Sequence, residues 1–165
     1  AGLGYIVKSF NNFRYTVFVP TAEALQKAFD EDPDLCTWEE INAESDPAKK
    51  KTKCLYLLNF LKYHFMDNLV PVSGKPFGNL TYETASRTQS GKFNKVTLYS
   101  NTGNDLTIEC TDTGVKASVV TADQSLYNVL ARDYIVDNSD IKSATNILSS
   151  SRVVIHQIDH ALKAQ

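Results

Sequence analysis

The sequence predicts an α+β fold, and three observations carry that prediction. Between Asp46 and Phe65, apolar Leu55, Leu58, Leu61 and Phe65 recur three or four apart, the spacing of one face of a helix. From Val70 to Val120 the texture changes to short alternating runs separated by Gly, Asn, Asp and Ser, as in an antiparallel meander. Near each end lies a run rich in β-branched residues, Tyr15 to Val19 and Val153 to Ile158. Two end strands holding a meander and several helices make an α+β architecture.

The elements follow in chain order. Leu3, Ile6, Val7 and Phe10 have the spacing of a short amphipathic helix, broken by Asn11 and Asn12. Tyr15 to Val19 reads as a buried strand stopped by Pro20, which has no N–H for a ladder bond. Thr21 is placed to N-cap the next helix, with Glu23 in the first turn, where the helix dipole favours a negative charge. Asp30 to Asp34 begins like a calcium loop. Counted from Asp30, however, the sixth residue is Leu35 instead of Gly and the twelfth is Ile41 instead of Glu, so the reading is a solvated acidic loop. Trp38 and Ile41, three apart, are expected to pin this loop to the core.

Asp46 and Pro47 form a helix start, with Asp46 as N-cap and Pro47 at the first helical position, and the helix is expected to run to about Phe65. The lysines at 49, 50, 51 and 53 read as its solvated face, with a weak role in attracting an anionic partner as the alternative. Beyond it come a loop from Ser73 to Gly78, a strand from Leu80 to Thr84 and a turn at Ser90-Gly91-Lys92. Val96, Leu98 and Ser100 then alternate with Thr97 and Tyr99, and strands follow at Leu106 to Cys110 and Val115 to Val120. Thr121 to Gln124 resembles a capping box ahead of a short helix, and Tyr134-Ile135-Val136 reads equally as strand. Val153 to Ile158 is apolar enough to suggest a central strand buried on both faces.

Composition excludes several classes of function. The chain has 165 residues, enough for one domain with a sizeable core. Its formal charge of -2 offers no broad positive field for a nucleic acid. Its longest apolar stretch, Cys54 to Leu61, falls far short of the roughly 20 residues of a membrane-spanning helix. Cys36, Cys54 and Cys110 cannot all pair within the chain and have no zinc-site spacing. They read as small buried or half-buried thiols, or as a Cys36 to Cys54 disulfide if the protein is exported.

Three segments, taken together, resemble a known family. Tyr15 to Ala24 contains Thr16-Val17-Phe18-Val19-Pro20-Thr21, Leu57 to Phe65 contains Tyr63-His64, and Val153 to Leu162 contains Val154-Ile155-His156-Gln157-Ile158-Asp159. In order and type these are similar to the three boxes of a fasciclin domain. The resemblance covers most of the chain and implies two β-sheets forming a wedge with helices packed on it, in one domain spanning residues 1–165. Two departures stand out. Only 14 residues precede Tyr15, so an N-terminal helical segment of the family is expected to be missing or replaced, and Leu25 stands where the family more often has Phe. The closing segment from Ser150 to Asp159 looks most like fasciclin domains of gut Bacteroidetes, which sit on exported lipoproteins.

The resemblance implies a non-enzymatic, extracytoplasmic adhesion or surface-display module with a protein or glycan partner, outside the cytoplasm at the cell surface or outer membrane. A structural or accessory subunit of an envelope complex is the alternative, and a hydrolase the residual one. It also marks Tyr63 and His64 as candidate binding residues, since the Tyr-His region of animal relatives is implicated in receptor contact. The residues themselves supply a structural reading, in which a partly charged His64 faces the last carbonyls of its helix. Thr16, Phe18, Pro20, Thr21, His156, Ile158 and Asp159 are framework residues in this reading, with His156 in a buried polar knot that pins the first and last boxes together.

No cofactor or metal is expected. His156 and His160 are four apart, but on a strand that spacing puts them roughly 13 Å apart, and no Glu follows His156 as a general base. Ser149 to Ser151 lies in no Gly-x-Ser-x-Gly turn, and Gly2-Leu3-Gly4 has no strand before it to form a phosphate loop. Asn79-Leu80-Thr81 is a lone glycosylation sequon.

Overall fold

A computed structural model describes residues 15–68, 70, 78–101, 105–120, 134–136 and 153–163. The expected helix over Leu3 to Phe10, most of the loop after Ser73, the Thr121 capping box and Ser149 to Ser151 lie outside these residues.

Strand β1 (Tyr15–Pro20) buries Thr16 and Phe18 and half-buries the residues between them, as a pleat of period two requires. Thr21 then caps α1 (Ala22–Glu31), its side chain accepting from the Ala24 N–H at 3.2 Å. Helix α2 (Trp38–Ala43) begins with a reciprocal capping box between Thr37 and Glu40. The Asp46 carboxylate caps α3 (Pro47–Tyr63), accepting from Ala48 at 2.8 Å and Lys49 at 3.2 Å.

Helix α3 ends earlier than its apolar spacing suggests. His64 is the C-cap and Phe65 opens β2 (Phe65–Asp67), because the chain must turn there to pair with β1. Asn68 follows with φ 86°, a left-handed conformation that Asn tolerates better than most residues.

The meander consists of β3 (Gly78–Arg87), β4 (Phe93–Asn101), β5 (Asp105–Cys110) and β6 (Lys116–Ser118), all antiparallel. Gly91, at φ 81°, supplies the backbone geometry of the β3 to β4 turn. Strand β3 is longer than expected at both ends, while β6 is shorter. Strands β7 (Tyr134–Val136) and β8 (Val153–Ile158) complete the sheet, so the 134–136 segment is strand.

The order across the sheet is β6-β5-β4-β3-β2-β1-β8-β7. Strands β1 and β8, from opposite ends of the chain, run parallel and in register, with Thr16 opposite Val154, Phe18 opposite His156 and Pro20 opposite Ile158. Two four-stranded halves meet at the Met66 to Thr84 pair and, at the opposite margin, at a bridge between Val119 and Ile158. The α+β expectation holds in this architecture. In place of two separate sheets, however, backbone bonds join the strands into one ladder whose margins return toward each other.

Leu98, Ile108 and Val96 from the meander pack with Phe18, Met66, Ile158 and Leu162 in the core. Burying each such aliphatic side chain contributes roughly 1.5–3 kcal/mol.

Four further expectations change. Strand β8 buries His156 and Ile158 but only half-buries Ile155 and Gln157, because a sheet closed around one core has a single inner face. Trp38 is 59% exposed while Ile41 is buried, so Ile41 alone pins the loop. Leu55 is 54% exposed, because α3 turns Tyr63 inward instead. Asp32, read as solvated, is buried, for reasons given below. Cys36 and Cys110 are buried free thiols and Cys54 is an exposed one.

Candidate functional site

The family-like boxes converge on the core side of the sheet, where their polar groups bind one another. Thr16 is fully buried; its Oγ1 donates to the Asn68 carbonyl at 2.9 Å and accepts from the Val70 N–H at 3.0 Å. The Val70 carbonyl in turn accepts from Nε2 of buried His156 at 2.7 Å. The backbone of Val70 is thus clasped by β1 on one side and β8 on the other, and the His156 ring stacks on Phe18 with centroids 6.2 Å apart. Just beyond β8, Asp159 accepts from the Ser118 N–H at 2.7 Å, and its own N–H donates to the Ser118 carbonyl at 3.1 Å, fastening β8 to β6. The Ile158 carbonyl accepts from the Thr21 N–H at 2.9 Å, so the first and last boxes also share a backbone bond at the sheet-to-helix corner.

Tyr63 and His64 face inward as well. The Tyr63 hydroxyl donates to the Asp112 carboxylate, with the Lys95 carbonyl 3.1 Å away. Burial, reinforced by that carboxylate, pushes the phenol pKa far up and keeps it protonated. His64 is 4% exposed. Its Nδ1 lies 2.9 Å from the Phe60 carbonyl and so carries the proton, while Nε2 accepts from the Leu162 N–H at 2.9 Å. Burial lowers its pKa to about 4, against a smaller upward effect of the Phe60 carbonyl. The imidazole is therefore neutral at pH 7 and acts as donor and acceptor at once, where the sequence suggested partial charge. In this arrangement neither side chain is presented to solvent.

One concave feature among the described residues is a cleft of about 110 Å³ between α1 and the segment after β8. Ala24, Ala28, Leu35, Phe60 and Val115 contribute apolar lining, and Lys27, Glu31, Asp32, His160 and Lys163 contribute charge. Asp32 is its hub, accepting from the Tyr56 hydroxyl at 2.9 Å, the Asp34 N–H at 3.1 Å and the Lys163 ammonium at 3.1 Å. Burial works against its charge, but the bonds from Tyr56, Lys163 and Asp34 together hold its pKa below the usual carboxylate value. Tyr56 is pushed up to about 12, by burial first and by Asp32 second.

This hub was not legible in the sequence, because its partners lie 24 and 131 positions away and no local pattern links them. The same holds for a buried chain in which Asn94 donates to Ser86 at 2.7 Å and Ser86 to Asn59 at 2.8 Å, joining the meander to α3.

Both ring nitrogens of His64 are held by backbone groups, and Nε2 of His156 by a carbonyl, so neither ring presents that atom to a nucleophile. His160 is exposed beside Asp159, with 3.1 Å between Nδ1 and the carboxylate. Among the described residues no group of three or more His, Cys, Asp and Glu side chains is placed to hold a metal ion. Among the same residues no helix is long and apolar enough to cross a membrane.

Several large apolar side chains stand in solvent outside the lining of the cleft, Trp38 at 59% exposed, Leu55 at 54%, Leu80 at 44% and Phe93 at 37% among them.

No family model matches the sequence, and no curated protein matches it. Among solved structures the fold is similar to a FAS1 domain pair from the insect cell adhesion molecule fasciclin I, at 15% identity and a TM-score of 0.47, over 96% of this chain. The chain spans 40% of that protein's length. At this level of likeness no residue role transfers from one chain to the other.

Proposed function

We propose that this chain is a fasciclin-like adhesion or surface-display module that works outside the cytoplasm, without catalysis, by binding a protein or glycan partner. One observation carries the reading. Among the described residues His64, His156, Tyr63 and Thr16 are committed to buried hydrogen bonds, while large apolar side chains such as Trp38, Leu55, Leu80 and Phe93 stand partly in solvent on helices and hairpins. A fold arranged this way holds surfaces in place and leaves recognition to its periphery. The three ordered boxes in the sequence support the same class, and the closing segment's likeness to domains of exported lipoproteins supports a cell-surface address.

Tyr63 and His64 take part in this reading as positioning residues. They fix the end of α3 and the segment after β8 in place beneath the surface. The test is binding of the purified chain to arrays of matrix proteins and of glycans. Saturable binding to at least one member is expected, and a blank across both arrays overturns the adhesion reading.

A further inference from the structure

We propose that the outward flank of α3 and the tip of the β3–β4 hairpin form one docking surface for an acidic protein segment with apolar anchor residues. The proposal deepens the adhesion reading and rests on it for the kind of partner involved.

Helix geometry defines the flank. At 100° per residue, Lys51, Leu55, Leu58 and Lys62 fall on one strip of α3, turned away from the strip that sends Tyr56 to Asp32 and Tyr63 to Asp112. Asn59 sits at the margin of the outward strip and joins it to the hairpin. Its Oδ1 accepts from Ser86 Oγ at 2.8 Å and from the Arg87 N–H at 3.4 Å. The Arg87 guanidinium lies 3.9 Å over the Phe93 ring and donates to the Gly91 carbonyl at 2.9 Å. Leu55 and Phe93, 54% and 37% exposed, thus belong to two elements that Asn59 and Arg87 hold together.

The charge on this surface has one sign. Lys51, Arg87 and Lys92 are exposed and Lys62 is half-buried. Neither α3 nor the stretch from Ser86 to Phe93 contains a single Asp or Glu, although the whole chain carries a formal charge of -2. Of the other lysines of α3, two are engaged elsewhere, Lys53 with Glu44 at 3.0 Å and Lys50 with the Asn42 carbonyl at 3.1 Å. Among the described residues none of Lys51, Lys62, Arg87 and Lys92 makes an ion pair, and an apolar centre within such a basic surround calls for an acidic partner.

Two features favour a protein segment over a lipid surface or a sulfated glycan. Arg87 is held over the Phe93 ring with one nitrogen on the Gly91 carbonyl, and the remaining N–H groups of its planar fork suit recognition of a carboxylate. Leu55 and Phe93 ask for apolar side chains, which a sulfated glycan lacks, yet they form no broad apolar face of the kind that enters a bilayer.

The experiment titrates the full 165-residue chain, labelled for amide NMR, with a synthetic peptide of interspersed glutamate and leucine at low and raised salt. Saturable shifts at Leu55, Leu58, Arg87, Lys92 and Phe93 are expected, weakening as salt rises. Arg87→Glu should weaken binding about tenfold, while Lys27→Glu on α1 should leave it unchanged. Lys92→Glu, at an exposed turn where misfolding is no explanation, should weaken it about threefold.

Shifts that map elsewhere, indifference to Lys92→Glu, or binding to phosphatidylserine vesicles or heparin in place of the peptide would each overturn the assignment. Failures of the two readings are separable. Blank arrays with a mapped peptide remove the adhesion reading and keep the surface; array binding unaffected by Arg87→Glu and Lys92→Glu does the reverse.

Discussion

Leu162 and Lys163 are neighbours in the chain, yet the groups that hold them obey different physics. The Leu162 N–H donates to a fully desolvated, neutral imidazole, whereas Lys163 reaches Asp32 as one charge reaching another, with about half of its side chain in solvent. The first bond depends on a proton staying off Nε2, and salt cannot screen it. The second depends on both charges, and water and salt weaken it. Tying one short segment by both means makes its docking sensitive to mild acid through His64 and to ionic strength through Lys163.

That contrast can be broken most forcefully at His156. His156→Ala leaves the Val70 carbonyl without its donor and opens space beside Phe18, so a loss of about 3 kcal/mol is expected. A melting temperature equal to that of the parent would remove the clasp from the account of stability.

Acid titration of His64 comes next. Its folded pKa, about 4, lies below the roughly 6.5 of an unfolded histidine. The unfolded chain therefore takes up a proton first as pH falls. Stability is full above about 6.5, declines down to about 4 and loses nothing further through this group below that. The total is of the order of 3 kcal/mol. Denaturant midpoints measured between pH 7 and 4 should show this slope, and His64→Gln should flatten it; a slope unchanged in that variant counts against the assignment. Asp32, whose pKa is lowered, loses its contribution only below the ordinary carboxylate range, as pH falls through its own folded value. The two ties therefore separate on a pH axis.

Tyr63→Phe should cost about 1–2 kcal/mol, because it deletes one buried donor and keeps the ring. The donor is an uncharged, buried phenol on a carboxylate, so the loss should depend less on salt than that of an exposed ion pair.

Lys163→Met is the smallest of these effects, about 0.5 kcal/mol after screening of a half-exposed ammonium. It should shrink further in 1 M salt. A loss as large as that of Tyr63→Phe would mean that the ionic tie matters more than its exposure suggests.

Much of the framework was legible where its cause is local. Thr21, Asp46 and Pro47 cap their helices because a cap involves residues within three positions, and Val96, Leu98 and Ser100 alternate because a pleat does. The α3 stripe misled for an equally physical reason. The helix is apolar on two sides, so spacing alone could not say whether Leu55 or Tyr63 faced the core. The acidic loop misled because burial of Asp32 depends on Tyr56 and Lys163, neither of which its own neighbourhood reveals.

The sequence by itself determined the α+β class, the helix starts, the strand-to-helix corner at Pro20 and Thr21, and the three boxes with the class of function they suggest. These rest on backbone preferences and capping bonds that act over a few residues. Only the tertiary structure decided that β1 and β8 lie parallel in register, that Val119 and Ile158 bring the sheet margins together, and that His64 is neutral. It also decided which leucines and lysines remain in solvent. Each of these depends on which groups lose contact with water when distant segments meet, and removal of water sets both the strength of a hydrogen bond and the charge of the group that makes it.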